Sequence, residues 1–376
     1  MTRVCTISVV VSTKNRLSSL KKCILSLLKQ SYVPKEIIIV DDCSDVHLDL
    51  QELLTDNILK IRINKKPFRT KILFLRNKSH AGVVASRNAG IFNASGDIVA
   101  FLDDDGYAHR DWLKKLVKHY KNTKIVGVGG PVIEKGRKMM PVIKPVKRLA
   151  FIKNGRIKSH YRITDARQKI YLPKSFVPFL QGGNMSFRRS TLLKIQGGDI
   201  AYNGNYYREE TDLGLKASKI GKLYFDPEAL TYHKTAKSGG CRDIICDDIN
   251  KFFYFMFKNT IYLFFKHFNI KKAAQFTVQA IRTQIKLILK HETGLTRSFS
   301  VSSRHESISA VLRGSFRGLY DGILLHKRMI FGKNNDKMVY SQPSSLSCFE
   351  IVIIGSSIKI IELESKTHII SKILGI

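Results

Sequence analysis

Three consecutive carboxylates, Asp103, Asp104 and Asp105, stand at the end of a short apolar run from Ile98 to Leu102. Adjacent like charges repel and raise one another's pKa, so a triplet needs a compensating cation or strong hydrogen-bond donors. A divalent metal carrying a phosphorylated ligand meets both needs, because hard cations take oxygen ligands and Mg²⁺ is commonly shared between carboxylates and substrate phosphates. A second acidic group lies at Glu209, Glu210 and Asp212. Its carboxylates suit general-base work on a hydroxyl, or simple complementation of a helix N-terminus. Gly182 and Gly183, before Asn184, mark a place where backbone approaches a ligand closely, or a plain tight turn. The six cysteines show no Cys-x-x-Cys spacing. Cys241, Cys246 and His233 give only three ligands at an unusual spacing for zinc.

The elements that must hold these groups read as alternating strands and helices. Thr6 to Val11 and Glu36 to Val40 are apolar runs of strand length, separated by Leu17, Leu20, Ile24, Leu27 and Leu28 at helical spacing. That order implies a parallel pair joined by a right-handed crossover. Ile72 to Leu75 reads as a third strand, Gly82 to Ile91 as a helix, and Ile98 to Leu102 as a fourth strand. Each strand ends in a polar cluster: Ser12 to Arg16, Asp41 to Asp45, Arg76-Asn77, and the acidic triplet. Ligands in open α/β sheets bind at the carboxyl ends of the strands, so all four clusters are expected on one rim. Asp111 to Tyr120 predicts a further helix, Ile125 to Val132 a strand, and Gly136 to Pro173 an irregular basic insertion. Leu230 to His233 returns to the sheet.

Beyond Lys234 the character changes. Phe252 to Phe268 carries nine aromatics with Lys251, Lys258, Lys266 and His267. The stretch fits a helix lying on anionic lipid, or a buried core helix. Ala273 to Lys290 predicts another basic helix, Arg297 to Arg304 a loop, and Phe349 to Leu363 a hairpin. No apolar run approaches the length of a spanning helix, and the first apolar run reads as a strand rather than a signal segment. Scattered cysteines fit a reduced, cytoplasmic setting. An apolar fraction of 44% with 25% charged residues excludes wholesale disorder. The net charge of +34 points to an anionic partner. The basic residues are spread along the chain without an RNA-module signature, so nucleic acid is not the expected partner.

Ser8 to Arg16, Ile39 to Asp45, Arg76-Asn77 with Arg87 to Gly90, Phe101 to Asp105, Gly182 to Arg188 and Glu209 to Leu213 occur in the order and rough spacing of family 2 glycosyltransferases. Over residues 4 to 235 the chain resembles these GT-A enzymes. The resemblance implies an α/β fold with a Rossmann-like, mostly parallel sheet and flanking helices. It places the transferase domain at 1–235 and leaves 236–376 as a basic, mainly helical extension that could associate with a membrane. It also implies a nucleotide-sugar donor of the UDP or dTDP type, a divalent metal (Mg²⁺ or Mn²⁺), and inversion at the anomeric carbon. By position, Thr13, Asn15, Arg16, Asp41, Asp42, Arg76, Asn77, Arg87, Asp103 and Asp104 are the donor contacts. Asp103, Asp105 and His233 are the metal ligands, and Gly183 and Asn184 the acceptor contacts. The family's base lies in a Glu-Asp pair, and here Glu210 occupies the Asp position with one extra methylene. Glu210 is therefore the expected base, with Glu209 and Asp212 behind it. The expected acceptor is a glycan or lipid-linked hydroxyl in cell-surface polysaccharide or glycolipid synthesis, at the inner face of the cell membrane. Two other readings stay open: a nucleotidyltransferase using the same carboxylates, and a non-catalytic protein that binds a polyanion or RNA.

Overall fold

β1 (Ile7–Thr13), β2 (Glu36–Asp41), β3 (Lys71–Asn77) and β4 (Ile98–Phe101) lie side by side and parallel, in the order β4-β1-β2-β3. The structure is a computed structural model that describes residues 5–46, 70–134, 149–163, 173–234, 236, 238–240, 248–289, 301–331, 346–354 and 357–363. All four strands are buried on both faces, which is why they read as unbroken apolar runs. Successive side chains go to opposite layers. Val9, Val11, Ile37, Ile39, Ile72 and Phe74 pack with α1 (Leu17–Leu28) through Leu20, Cys23, Ile24 and Leu27. Val10, Ile38, Val40, Leu73 and Leu75 face α2 (Val83–Asn93) through Ala89 and Ile91.

Among the described residues the large sheet has ten strands and is mixed. Parallel through its centre, it has antiparallel pairs at β12 (Met185–Arg188), which runs between β4 and β6 (Ile125–Gly129) and leads into the short α4 (Arg189–Lys194). β13 (Lys222–Phe225) and β11 (Ser175–Val177) close that side. On the other side a hairpin of β15 (Leu346–Ile354) and β16 (Ser357–Leu363) adds antiparallel to β3. A second sheet joins β5 (Gly106–Ala108), β7 (Val132–Glu134), β10 (Arg162–Ile163) and β14 (Thr231–His233). The single strand expected over 125–132 is therefore two. Gly130-Pro131 breaks it, because proline lacks the ladder N–H, and the chain passes from one sheet to the other. Similarly, the helix expected from Asp111 is α-helical only as α3 (Trp112–Val117) and ends in a 3₁₀ turn.

One further expectation is corrected and one open alternative is decided. The basic insertion is not irregular where it is described: β8 (Ala150–Lys153) and β9 (Arg156–Ser159) form a hairpin. Its turn, Asn154-Gly155, has positive φ at both residues, the combination that matches hairpin twist. Residues 135–148 and 164–172 of that insertion lie outside the described residues. The aromatic stretch is α6 (Ile249–His267), and it is a core helix rather than an interfacial one. Phe253, Phe257, Ile261, Tyr262, Leu263, Phe264 and Phe265 are buried, partly against Val84 and Tyr202. α7 (Ile270–Leu289) and α8 (Val301–Phe331) pack on it; the latter begins within the loop expected at 297–304. Among the described residues no helix is long and apolar enough to cross a membrane.

Candidate active site

The parallel register sets the carboxyl ends of the four strands on one edge, with Thr13 opposite Asp41, Asp41 opposite Arg76 and Val10 opposite Phe101. The polar clusters converge there as expected. A cavity of about 270 Å³ opens on this rim, between the strand ends, α2 and α5 (Glu209–Ser218). Six carboxylates line it (Asp42, Asp103, Asp104, Asp105, Glu209, Glu210) against three fixed cations (Lys14, Arg16, Arg87) and the imidazoles of His80 and His233. In a chain of net charge +34 the cavity is thus locally acidic.

Each member of the triplet has its own surroundings. Asp104 is buried; it accepts from Thr13 Oγ1 at 2.8 Å and pairs with Arg16 Nη1 at 2.9 Å. Burial outweighs Arg16 and raises its pKa to about 6. For Asp105 burial is overcome by the His233 Nε2 contact at 2.9 Å, the Ala236 N–H at 3.0 Å and Arg16, and its pKa falls to about 2. Asp103 is more exposed and accepts from Arg87 Nη2 at 3.0 Å. Arg16 also donates to the carbonyls of Ser238 and Gly239, so the chain beyond β14 is drawn over the triplet.

Asp103, Asp105 and His233 can each point one ligand atom into a common space, all within 4.8 Å of one another. Two carboxylate oxygens and one imidazole nitrogen suit Mn²⁺ or Mg²⁺ better than a thiol-preferring metal. Gly183 belongs to this cradle, because a Cβ there would stand 2.9 Å from Asp103 Oδ2. Ser12 Oγ and Gln181 Oε1, both lining the cavity, are buried and unpaired within the described chain, two polar atoms a ligand could satisfy. Cys241 and Cys246 lie outside the described residues.

α5 opens with Glu209, Glu210 and Asp212 in its first turn, where the helix dipole favours carboxylates. Their environments diverge. Glu209 is buried and ion-paired with Arg87, yet burial dominates and its pKa rises to about 7. Arg87 itself is pushed upward, its own burial being outweighed by Glu209 and Asp103. Glu210 lines the cavity half-buried, and its carboxylate forms no hydrogen bond or ion pair among the described residues. Asp212 points the other way. It is fully buried against Lys266 Nζ at 2.9 Å and His267 Nε2 at 2.6 Å, and outside the cavity. Burial alone would raise the Asp212 carboxyl, but Lys266 and His267 hold it well below the usual carboxylate range.

The structure brings Thr13, Arg16, Asp42, Arg87, Asp103, Asp104, Asp105, Gly183, Glu209, Glu210 and His233 to the cavity wall. It sets the other expected residues behind or beside it. Asp41 is buried and pairs with Arg76; Asn77 donates to Asp42 at 2.8 Å; Asn15 bonds Asp45 at 2.8 Å. Asn184 is fully buried, accepting from Trp112 Nε1 at 2.8 Å and donating to the carbonyls of Pro131 and Ala229. Sequence reasoning missed His80, which meets Asp42 at 2.7 Å, and Tyr206 and Tyr207, which line the cavity. Tyr206 and Arg208 have positive φ immediately before α5. Their signal in the sequence is only nearness to the acidic group.

Asp103, Asp105 and His233, the open carboxylate of Glu210 and two unpaired buried polar atoms thus surround one cleft at the sheet's carboxyl rim. The family model described as glycosyl transferase family 2 matches residues 8–195, half of the chain, and the chain belongs to that family. Curated relatives are partial matches. The chain is 28% identical over 196 residues to the glucosyl-dolichyl phosphate glucuronosyltransferase of Haloferax volcanii, covering 51% of this chain and 56% of that protein. It is 35% identical over 127 residues to an uncharacterized glycosyltransferase of Nostoc sp., covering 32% of this chain and 35% of that one. The chain thus spans about half the length, or less, of these relatives. Among solved structures, S. aureus TarS 1-349 in complex with UDP-GlcNAc aligns over 96% of this chain and 97% of that one, at 15% identity and a TM-score of 0.49.

Proposed function

We propose that this chain is a metal-dependent, inverting glycosyltransferase that moves a sugar from a nucleotide-sugar donor, of the UDP or dTDP type, to a hydroxyl of a glycan or lipid-linked acceptor. The observation that carries the reading is the placement of Asp103, Asp105 and His233 in the same cavity as the unpaired carboxylate of Glu210. An acidic cavity repels a diphosphate unless a cation accompanies it, and this trio supplies the ligands. When bound, a divalent metal neutralises the charge that develops on the leaving diphosphate. The chain's own residues do the rest. Arg16, held beside the triplet by Asp104 and Asp105, and Lys14 on the same cavity lining attract the phosphates, while Asp42 and Thr13, also on that lining, contact the donor. Glu210 takes the proton of the acceptor hydroxyl as its oxygen bonds to the anomeric carbon. The bond from that carbon to the diphosphate oxygen breaks with its electron pair, releasing the nucleoside diphosphate. Glu209 is ion-paired with Arg87, so it orients that guanidinium and does not compete as base.

In this reading residues 1–235 carry the catalytic side chains, 236 and 238–240 close over the triplet, and α6 to α8 form the extension toward a membrane. The name of the Haloferax relative, a glucuronosyltransferase of glucosyl-dolichyl phosphate, supports the lipid-linked acceptor class; a place in cell-surface glycan or glycolipid synthesis at the inner membrane face completes the proposal. The test is a panel of nucleotide-sugars with Mg²⁺ or Mn²⁺, scored for nucleoside diphosphate release. Asp103→Ala should lose donor binding; Glu210→Gln should keep it while kcat falls by about 10²-fold or more. Pyrophosphate as product, or E210Q turning over at a rate close to wild type, would overturn the assignment.

A further inference from the structure

α8 joins α6 along a seam of Gly314, Gly318 and Gly322, spaced four apart. A Cβ on each would meet Tyr254 O at 2.2 Å, Lys258 O at 2.3 Å and Phe265 Cβ at 2.5 Å, so the two backbones are in close contact there. The opposite face of α8 bears Leu312, Phe316, Tyr320, Ile323 and Leu324, at spacings of four, four, three and one. All five are exposed, Phe316 at 69% and Tyr320 at 58%. A contiguous apolar stripe of this kind on a folded chain marks a surface that something covers.

The charge beside it identifies what. Arg313 and Arg317 are exposed next to the stripe, and among the described residues only Arg317 has a carboxylate close by, Asp321 at 3.0 Å. The adjoining α7 exposes Lys271, Lys272, Arg282 and Lys286, contains no Asp or Glu, and exposes Ile270, Val278 and Leu289 as well. A second protein copy would bring the same excess of positive charge to the contact and be repelled. An anionic bilayer accepts both features: aromatic and aliphatic side chains enter the boundary between headgroups and acyl chains, while arginine and lysine stay among the phosphates.

We infer that the Leu312–Phe316–Tyr320–Ile323 face of α8 docks this protein on an anionic lipid surface. The inference deepens the membrane-proximal part of the proposed function and moves it from α6, where the aromatic content first pointed, to α8. The full chain is co-sedimented with phosphatidylcholine vesicles with and without phosphatidylglycerol. Binding is expected on the anionic vesicles only and to weaken with salt. Phe316→Ser with Tyr320→Ser should weaken it about tenfold or more, and Arg313→Gln about fivefold. Phe316→Trp adds an indole at the stripe, whose emission should move to the blue on anionic vesicles and be quenched by brominated lipid. Three results would each overturn the inference: an F316S/Y320S variant that binds as wild type, an F316W emission that vesicles leave unchanged, or a concentration-dependent mass that F316S/Y320S abolishes. The last would make a second copy the occupant. Nucleoside diphosphate release in vesicle-free solution should be unchanged in F316S/Y320S, since neither side chain lines the cavity. If the wild type releases none from any donor, the transferase reading fails while the vesicle result stands on its own.

Discussion

Lys266 joins two buried carboxylates from different parts of the chain. Its Nζ lies 2.5 Å from Asp199 and 2.9 Å from Asp212, all three side chains being at most 10% exposed. Asp212 belongs to the helix that opens with Glu209 and Glu210, so this ion cluster ties α6 to the proposed catalytic helix. Lys266→Met keeps the aliphatic stem packed while removing the charge. It strands two buried carboxylates, and removing one partner of a buried pair costs about 3–5 kcal/mol. His267 remains on Asp212 at 2.6 Å and Tyr262 Oη on Asp199 at 2.9 Å, which places the expected loss near the lower end, about 3 kcal/mol. For an m-value near ~3 kcal/mol per molar, that lowers the urea midpoint by about 1 M. Trp112, the single tryptophan and fully buried in the main core, reports the transition by fluorescence. The pH dependence has a definite sign. The folded Asp212 carboxyl sits below its unfolded value, so its pairing stabilises the chain above the unfolded pKa of about 4 and the stabilisation is lost as pH falls below that. The gap between wild type and K266M should therefore be full near neutral pH and narrow on acidification. Asp212→Asn with K266M should be less damaging than the sum of the single changes, since neither buried charge is then stranded at that end. A K266M protein within about 0.5 kcal/mol of wild type at neutral pH, the level of ordinary surface changes, would refute the reasoning, as would a gap unchanged in acid.

Two shorter predictions concern Asn184, buried behind the cavity, and Gly183 on its wall. Asn184→Ala removes the acceptor of the Trp112 indole N–H and the donor to two buried carbonyls, so stability should fall by about 2–3 kcal/mol, read as a lower urea midpoint. An unchanged midpoint with a raised acceptor KM would instead give Asn184 the acceptor-binding role implied by the resemblance. Gly183→Ala sets a methyl 2.9 Å from Asp103 Oδ2 and should weaken Mn²⁺ binding about tenfold, measured by calorimetry, with the fold intact; affinity equal to wild type would remove Gly183 from the cradle.

The central sheet was legible because its strands are buried on both faces and so lack polar alternation, and because each ends in residues that only a shared rim explains. Hidden features depend on distant chain. Phe252 to Phe268 and Leu312 to Leu324 are both aromatic-bearing helices with interspersed cations. Nothing within either window says which one the fold covers. α6 is the buried one because α2, α7 and α8 pack around it and because Gly314, Gly318 and Gly322 let α8 approach closely. The β8–β9 hairpin is hidden for a different reason: its strands are four residues each and none of those residues is buried, so only Asn154-Gly155 marks it.

The neighbouring carboxylates at the start of α5 show the limit most sharply. As letters, Glu209 and Glu210 are interchangeable, and family position alone favours the second. The deciding group is Arg87, 122 residues away, on the helix that follows β3. Because α2 lies across the rim from α5, its guanidinium reaches Glu209 and Asp103 together and leaves Glu210 facing the cavity, unpaired among the described residues. A base must hold an open lone pair toward the acceptor, and a carboxylate already engaged by a buried guanidinium accepts a proton only by giving up that pair. Glu209→Gln should accordingly disturb Arg87 and Asp103, raising the metal requirement of turnover, whereas E210Q should leave that requirement alone and lower kcat. A metal titration of initial rates separates the two, and equal metal dependence in both variants would show that Arg87 does not divide their roles.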